Sequence, residues 1–191
     1  MDPQDLHIHT TYSANDSYVA PLQTVALVAA VRHARILGIS DHFENLVSGM
    51  FETYETEIRQ AGLKLGVEVD GHFWVTEAIN YDVDYYIVHC RDNDADYKSL
   101  EQLLDTGKPV IIAHPNAFAT NLDRLPATCL IEINNRYVWH NDWYNYYRPH
   151  RERFNFVIGS DAHQPNWLGQ SVARYAADQL GIIEHLVFEE P

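Results

Sequence analysis

Seven short stretches of the chain are almost continuously apolar, and each closes on a polar side chain of the kind that binds metals. They are DLHIH (5–9), ARILGISDH (34–42), LKLGVEVD (63–70), VDYYIVHC (83–90), PVIIAHP (109–115), CLIEINN (129–135) and FNFVIGSDAH (154–163). Runs this uniformly rich in Val, Ile and Tyr predict strands buried on both faces of a parallel sheet. Between several of them the apolar positions recur at helical spacing. The stretch 21–34 opens on Pro21 at an expected first turn. The stretches 50–62, 96–107 and 168–181 each end on a glycine suited to a C-terminal cap. Residues 71–83 are short for a helical crossover and receive no assignment.

Alternation of strand and helix predicts an α/β fold with parallel strands. A doubly wound open sheet competes with a barrel. The open sheet gathers ligands at one switch point, from two or three strands, whereas a TIM-like barrel collects them from the C-terminal ends of many. Ligand-type residues at the ends of all seven stretches favour a single-domain, distorted seven-stranded (β/α)7 TIM-like barrel over residues 1–191.

The first stretch shows how the chemistry is placed. Alternate side chains of a strand share a face, so His7 and His9 point one way and Ile8 the other. Two adjacent imidazoles suit a metal ion. An isolated HxH reads more readily as the polar face of a half-exposed strand, and decides nothing alone. The same holds for SDH, GVEVD, AHP and SDAH taken singly. Their ordered arrival at successive strand ends is what points to a multinuclear centre, because its imidazole and carboxylate ligands must converge from separate strands.

These motifs together resemble the PHP (polymerase and histidinol phosphatase) family of metal-dependent phosphoesterases, from His7 to His163. The resemblance implies a distorted seven-stranded barrel holding two to three divalent ions, commonly Zn, Mn or Fe. It implies that His7, His9 and Asp161 hold a first ion, and that Glu68 bridges it to a second completed by His89 and His114. It implies a third ion on His42, His163 and an acid or His after HTTYS. In the commonest form of the motif Asp directly follows that Ser; here Ala14 follows Ser13, and Asp16 takes the role. His7, His9, Glu68, Asp161 and His163 are the expected catalytic set. Asp41 is expected to orient a ligand, and Glu132 to be a ligand, an orienting group or structural. His33 and His185 are expected at the surface, and His72, His140 and His150 outside the site.

Residues 134–153 combine eight aromatic side chains, histidine included, with four arginines. Following the sixth strand, they begin on the expected active face. Tyr137, Trp139, Trp143 and Tyr147 can wall a substrate, and Arg136 can grip a phosphate in bidentate fashion. Arg91, just after His89, is the second candidate for that grip. An aromatic helix packed on the barrel is the competing reading for most of this segment.

Composition narrows the function. A formal charge of −14 disfavours nucleic acid, which is bound through cationic neutralisation of phosphates. A small phosphorylated substrate held by metal ions is not disfavoured, since bound cations reverse the local sign. No apolar run is long enough for a membrane span and no signal peptide is evident, so a cytoplasmic protein with no membrane partner is expected. Cys90 and Cys129 read as reduced, buried thiols. The expected reaction is phosphoester hydrolysis by a metal-bridging hydroxide. No G-x-S-x-G or Cys-His pattern offers a covalent nucleophile. The alternatives are an amidohydrolase-like enzyme, a DNA-processing nuclease and a non-catalytic metal-binding module; no lysine closes a strand, which disfavours the first.

Overall fold

The computed structural model describes residues 1–13, 19–47 and 49–189; Asp16 lies outside them. The strands are β1 (Asp2–Asp5), β2 (Ala34–Ile39), β3 (Lys64–Val69), β4 (Tyr85–Val88), β5 (Val110–Ile112), β6 (Leu130–Asn134) and β7 (Asn155–Gly159). They form one sheet in sequential order, every neighbouring pair parallel, with registers such as Val69 opposite Val88 and Asn134 opposite Gly159. Helices run between them: α1 (Val25–Val31), α2 (Phe43–Leu46), α3 (Phe51–Gln60), α4 (His72–Ala78), α5 (Asp94–Leu104), α6 (Trp143–Tyr147) and α7 (Ser171–Leu180). This is the expected seven-stranded, nearly closed barrel.

Three local expectations change. Helix α1 begins at Val25, capped by Thr24 Oγ1 accepting from the Leu27 N–H at 3.2 Å, and Pro21 lies ahead of it. The unassigned stretch after Gly71 contains α4, which follows a glycine at φ +59° and has no capping side chain to announce it. Strand β1 ends at Asp5, so His7 and His9 stand beyond the regular ladder.

The barrel interior and its outer shell are separate apolar clusters. Leu6, Ile36, Tyr85, Ile87, Ile111, Leu130 and Val157 fill the interior. Alternate residues such as Leu65, Val67, Ile131 and Ile133 face the helices. Tyr85 is the plug. Its hydroxyl donates to Leu6 O at 2.6 Å, and its ring lies where a Cβ on Gly38 or Gly66 would stand. Those glycines are therefore fixed by close approach.

A seven-stranded sheet must still join its first and last strands, whose edges carry unpaired backbone groups. Near the C-terminal end the backbone does so. Ile8 bridges Ala162, His9 N–H donates to Ala162 O at 2.9 Å, and Asp161 N–H donates to His7 O at 2.7 Å. Lower down, side chains substitute for the ladder. Buried Gln170 donates from Nε2 to Gln4 O and Ile158 O, both at 2.9 Å. Asp5 Oδ1 accepts the Ser160 N–H at 3.1 Å. The tail covers the remaining gap: His185 N–H donates to Phe156 O at 2.7 Å, and Gln4 Nε2 to His185 O at 2.7 Å.

Candidate metal centre

Inward-facing positions at the C-terminal ends of the strands converge on Glu68. Strand parity places Glu68 above Gly66, His89 above Ile87, and Glu132 above Leu130. Two other residues, His7 and His114, need a break in that parity, while Asp161 keeps the inward parity of Val157 and Gly159. Leu6 faces the interior and Ile8 the outer shell, so the alternation slips at His7 and sends it inward too. His114 and Asp161 have φ of +25° and +53°, conformations that L-residues adopt at a cost of order 1–3 kcal/mol. Strained backbone at two expected ligands is the kind of expense found at functional sites.

The distances are short. His7 Nε2 lies 3.1 Å from Glu68 Oε1 and 3.1 Å from His9 Nε2. His9 Nε2 and His42 Nδ1 stand 3.4 and 3.3 Å from Glu68 Oε2. His89 Nε2 and His114 Nε2 stand 2.7 and 3.6 Å from Glu68 Oε1. Asp161 Oδ1 is 3.6 Å from His9 Nε2 and 3.9 Å from His7 Nε2. His7, His9, Glu68, Asp161 and His163 are all buried.

Hydrogen bonds assign the protons, and hence the lone pairs. His7 Nδ1 is 2.8 Å from Glu132 Oε1, an acceptor, so its proton lies there and Nε2 carries a lone pair in the neutral ring. Ser13 donates its hydroxyl to Asp41 Oδ1 at 2.6 Å, leaving Ser13 Oγ to accept from His9 Nδ1 at 3.3 Å. His9 Nε2 is then also a bare lone pair. His89 Nδ1 donates to Asp70 Oδ1 at 3.1 Å, which leaves His89 Nε2 facing Glu68 Oε1 with no directional hydrogen bond for either atom. Electron pairs on three imidazoles and two carboxylates thus point into one shared volume. That arrangement suits a cation and little else, and the donor set of imidazole and carboxylate suits Zn, Mn or Fe.

Among the described residues three triads have ligand atoms within 4.8 Å of one another: His7–His9–Asp161, His7–Glu68–His114 and His9–His42–His163. Each overlaps one of the expected ligand sets, and they share His7 and His9. His89 joins none of them and reaches the centre through Glu68.

Without a metal ion, protons do the neutralising. Burial opposes the imidazolium of His7, yet the charges of Glu132, Asp161 and Glu68 hold its pKa well above the ordinary value. Burial likewise opposes the His89 cation, but Glu68 and Asp70 push its pKa up to about 10. His9 goes the other way: burial, reinforced by His42, His163 and His7, holds it well below. Burial works against ionised Glu68, but the facing histidines keep it well below the usual carboxylate range.

Carboxylates around the ligands hold them in place. Glu132 takes His7 Nδ1 on one oxygen and the His114 N–H, at 2.7 Å, on the other; it is an orienting group. Asp41 accepts from the Thr10 backbone at 2.7 Å, the Thr10 hydroxyl and Ser13, fixing the turn after His9, and burial pushes its pKa up to about 6. Asp70 accepts from both His89 and Arg91, and those bonds lower its pKa to about 2. Sequence reasoning passed over Asp70, although its spacing of two from Glu68 was a signal for the same face.

The centre forms the floor of a cavity of about 720 Å³. Phe118, Tyr137 and His140 line it beside Arg91 and Arg136. Arg136 lies over the rings of Tyr137 and Trp167 and donates to Asp161 Oδ1 at 3.0 Å. Tyr147 does not join a substrate wall: it is fully buried, with its hydroxyl donating to Asn116 Oδ1 at 2.9 Å. Trp139 is exposed and Trp143 packs on the outer shell. His140, expected outside the site, lines the cavity. His33, expected at the surface, pairs with buried Asp5 at 2.7 Å. His185 is exposed, and Cys90 and Cys129 are buried free thiols.

No protein-family model matches this sequence, and no curated protein matches it. Solved structures do. Dihydropteroate synthase from Xanthomonas albilineans, in complex with indole-2-carboxylic acid and 6-chloroguanine, superposes with a TM-score of 0.52 at 15% identity, covering 96% of this chain and 86% of that one. A truncated 3-deoxy-D-arabino-heptulosonate 7-phosphate synthase from Thermotoga maritima gives 0.50 at 11% identity, covering 94% and 72%. Both are TIM-barrel enzymes, and at these identities the likeness concerns the fold. Among the described residues no helix is long and apolar enough to cross a membrane.

Proposed function

We propose that this chain is a PHP-type, metal-dependent phosphoesterase acting on small soluble phosphoesters. The observation that carries the reading is the set of lone pairs on His7, His9 and His89 converging with Glu68 and Asp161 at the C-terminal face of the barrel. His7, His9, Glu68, His89 and Asp161 would hold divalent ions, which when bound would supply Lewis acidity toward phosphate oxygens and an acidified water. The protein's own groups do the rest. Glu132 and Asp70 keep the ligand tautomers fixed, and the guanidinium groups of Arg91 and Arg136 border the cavity where a phosphate sits.

Two features support a small substrate. The cavity volume of about 720 Å³ is that of a small-molecule site. The formal charge of −14 repels a long polyanion everywhere but at the centre. An amidohydrolase reading lacks its lysine: none lines the cavity, Lys64 lies over Phe188 at 4.7 Å, and Lys108 pairs with Asp82 at 2.7 Å. The test is metal analysis of protein purified without chelator, followed by parallel assays of phosphomonoesters, dinucleotides and single-stranded DNA at low salt. Two to three metal ions per chain and faster turnover of a small ester are expected. Less than one ion per chain after reconstitution, or faster turnover of DNA than of every small ester, rejects the reading.

A further inference from the structure

Arg91 is held at the cavity wall more deliberately than an ordinary surface arginine. Its NH2 donates to Asp70 Oδ1 at 2.6 Å, its guanidinium lies 5.1 Å from the Phe118 ring centre, and its backbone N–H donates to Asp96 Oδ2 at 2.9 Å. Gly71, at φ +59°, lets the guanidinium pack close against the backbone; a Cβ there would come within 3.1 Å of Arg91 Nη1. The side chain nevertheless remains 40% exposed, and among the described residues Asp70 is the one acceptor its guanidinium meets. The contact is end-on and Nη1 is buried with no hydrogen-bond partner, so what an anion meets is the part of the guanidinium left exposed at the cavity wall. An isolated exposed ion pair contributes little to stability, which leaves the ring, the glycine and the shared carboxylate unexplained by folding alone. Arg136 differs: it donates directly to Asp161 and to His163, which belong to the centre.

The second half of the arrangement is the oxygen itself. Asp70 Oδ1 accepts from His89 Nδ1 at 3.1 Å and from Arg91 at once. We propose that Arg91 is the anion-binding residue of this cavity, receiving phosphate oxygens, and that Asp70 is its positioning residue, joining the anion grip to His89 through one shared oxygen. That the anion is phosphate rests on the phosphoesterase reading above.

The experiment titrates inorganic phosphate calorimetrically into the full chain, both metal-free and after loading with zinc and desalting. Arg91→Gln should weaken phosphate binding at least about tenfold, as expected for loss of a charged hydrogen-bond donor. Asp70→Ala should weaken it by several-fold, and Asp70→Asn, which keeps the shared oxygen, should recover most of that loss. Asp70 also orients His89, so the decisive comparison is a double-mutant cycle. If Asp70 acts through Arg91, Asp70→Ala costs nothing further in the Arg91→Gln background. If it acts through the metal alone, the cost is the same in both backgrounds, and the positioning role is overturned. Wild-type affinity in both Arg91→Gln and Arg91→Lys, with native circular dichroism, overturns the anion-binding role. That outcome with phosphoesterase activity intact leaves the proposed function standing. Phosphate binding that depends on Arg91, in a chain that hydrolyses no phosphoester, removes the function and keeps the site. A wild-type chain that binds no phosphate in either form overturns the inference.

Discussion

Metal uptake by this centre should depend steeply on pH, because an ion must displace the protons that now neutralise it. His89 shows the magnitude. Its pKa of about 10 in the folded, metal-free chain lies about three units above neutrality, and each unit corresponds to about 1.4 kcal/mol. Displacing that proton at neutral pH therefore costs roughly 4 kcal/mol, a penalty that vanishes as pH approaches the folded pKa. One displaced proton makes the apparent association constant rise about tenfold per pH unit between about pH 6.5 and 10; a second from His7, which is also raised, makes it steeper. The same shift acts on folding. A histidine whose folded pKa exceeds its unfolded value stabilises the fold fully below the unfolded value and loses that contribution as pH climbs to the folded one. The metal-free Tm should therefore fall between about pH 6.5 and 10, and the metal-loaded Tm should fall less. Chelator competition across this range measures the slope, and calorimetry in two buffers of different ionisation enthalpy counts the protons. An association constant flat with pH, or no net proton release, would refute both the proton assignment and the centre built on it.

Three substitutions probe separate parts of the structure. Glu68→Gln removes the charge on which His7, His9, His42, His89 and His114 converge, so metal affinity and activity should fall together, by at least about tenfold, while circular dichroism stays native; full activity with full metal content would show that Glu68 is not central. His33→Ala strips buried Asp5 of its 2.7 Å partner and should cost roughly 2 kcal/mol of unfolding free energy with metal content per folded chain unchanged; denaturant titration at wild-type stability would contradict this. Gly159→Ala places a methyl group on Glu132 Oε1 and should push that carboxylate off His7, lowering stability and metal content together; Gly169→Ala, with open space around it, is the control, and equal behaviour of the two would contradict the packing described.

What could be read from the sequence follows a physical division. The seven strands were legible because their apolar runs are long and bounded, and the inward placement of Glu68 and His89 follows from period two. His7 and His114 converge for a reason no pattern carries, a slip in alternation and a left-handed backbone, whereas Asp161 keeps the parity of Val157 and Gly159. Asp70 obeys period two from Glu68, but one residue beyond the end of β3 it carries no motif of its own. Phe118 and His140 sit on connections where side-chain direction has no period. Tyr147 reads as a rim residue by composition; only its bonds to Asn116 and Glu132 O draw it inside. The His33–Asp5 pair joins residues 28 apart in sequence, so it becomes visible only once β1 lies beside β2.

The least regularly paired part of the barrel and its chemistry occupy the same place. Strands β1 and β7 meet through a few backbone bonds near Ile8 and Ala162, with Gln170, Asp5 and the tail completing the join below. The expected ligands stand directly above this seam: His7 and His9 continue from one edge, Asp161 and His163 from the other. Regular pairing would have carried both strands upward with strict alternation and aimed half of these side chains at the outer helices. Ending β1 at Asp5 and β7 at Gly159 frees the backbone to slip at His7 and to take a left-handed turn at Asp161, and both side chains then face Glu68 across the barrel. The lost ladder bonds reappear as side-chain bonds from residues that need no inward direction. Incomplete closure of the sheet is in this sense the condition for the centre: the geometry that leaves the seam short of backbone pairing is the one that lets ligands from both of its edges converge.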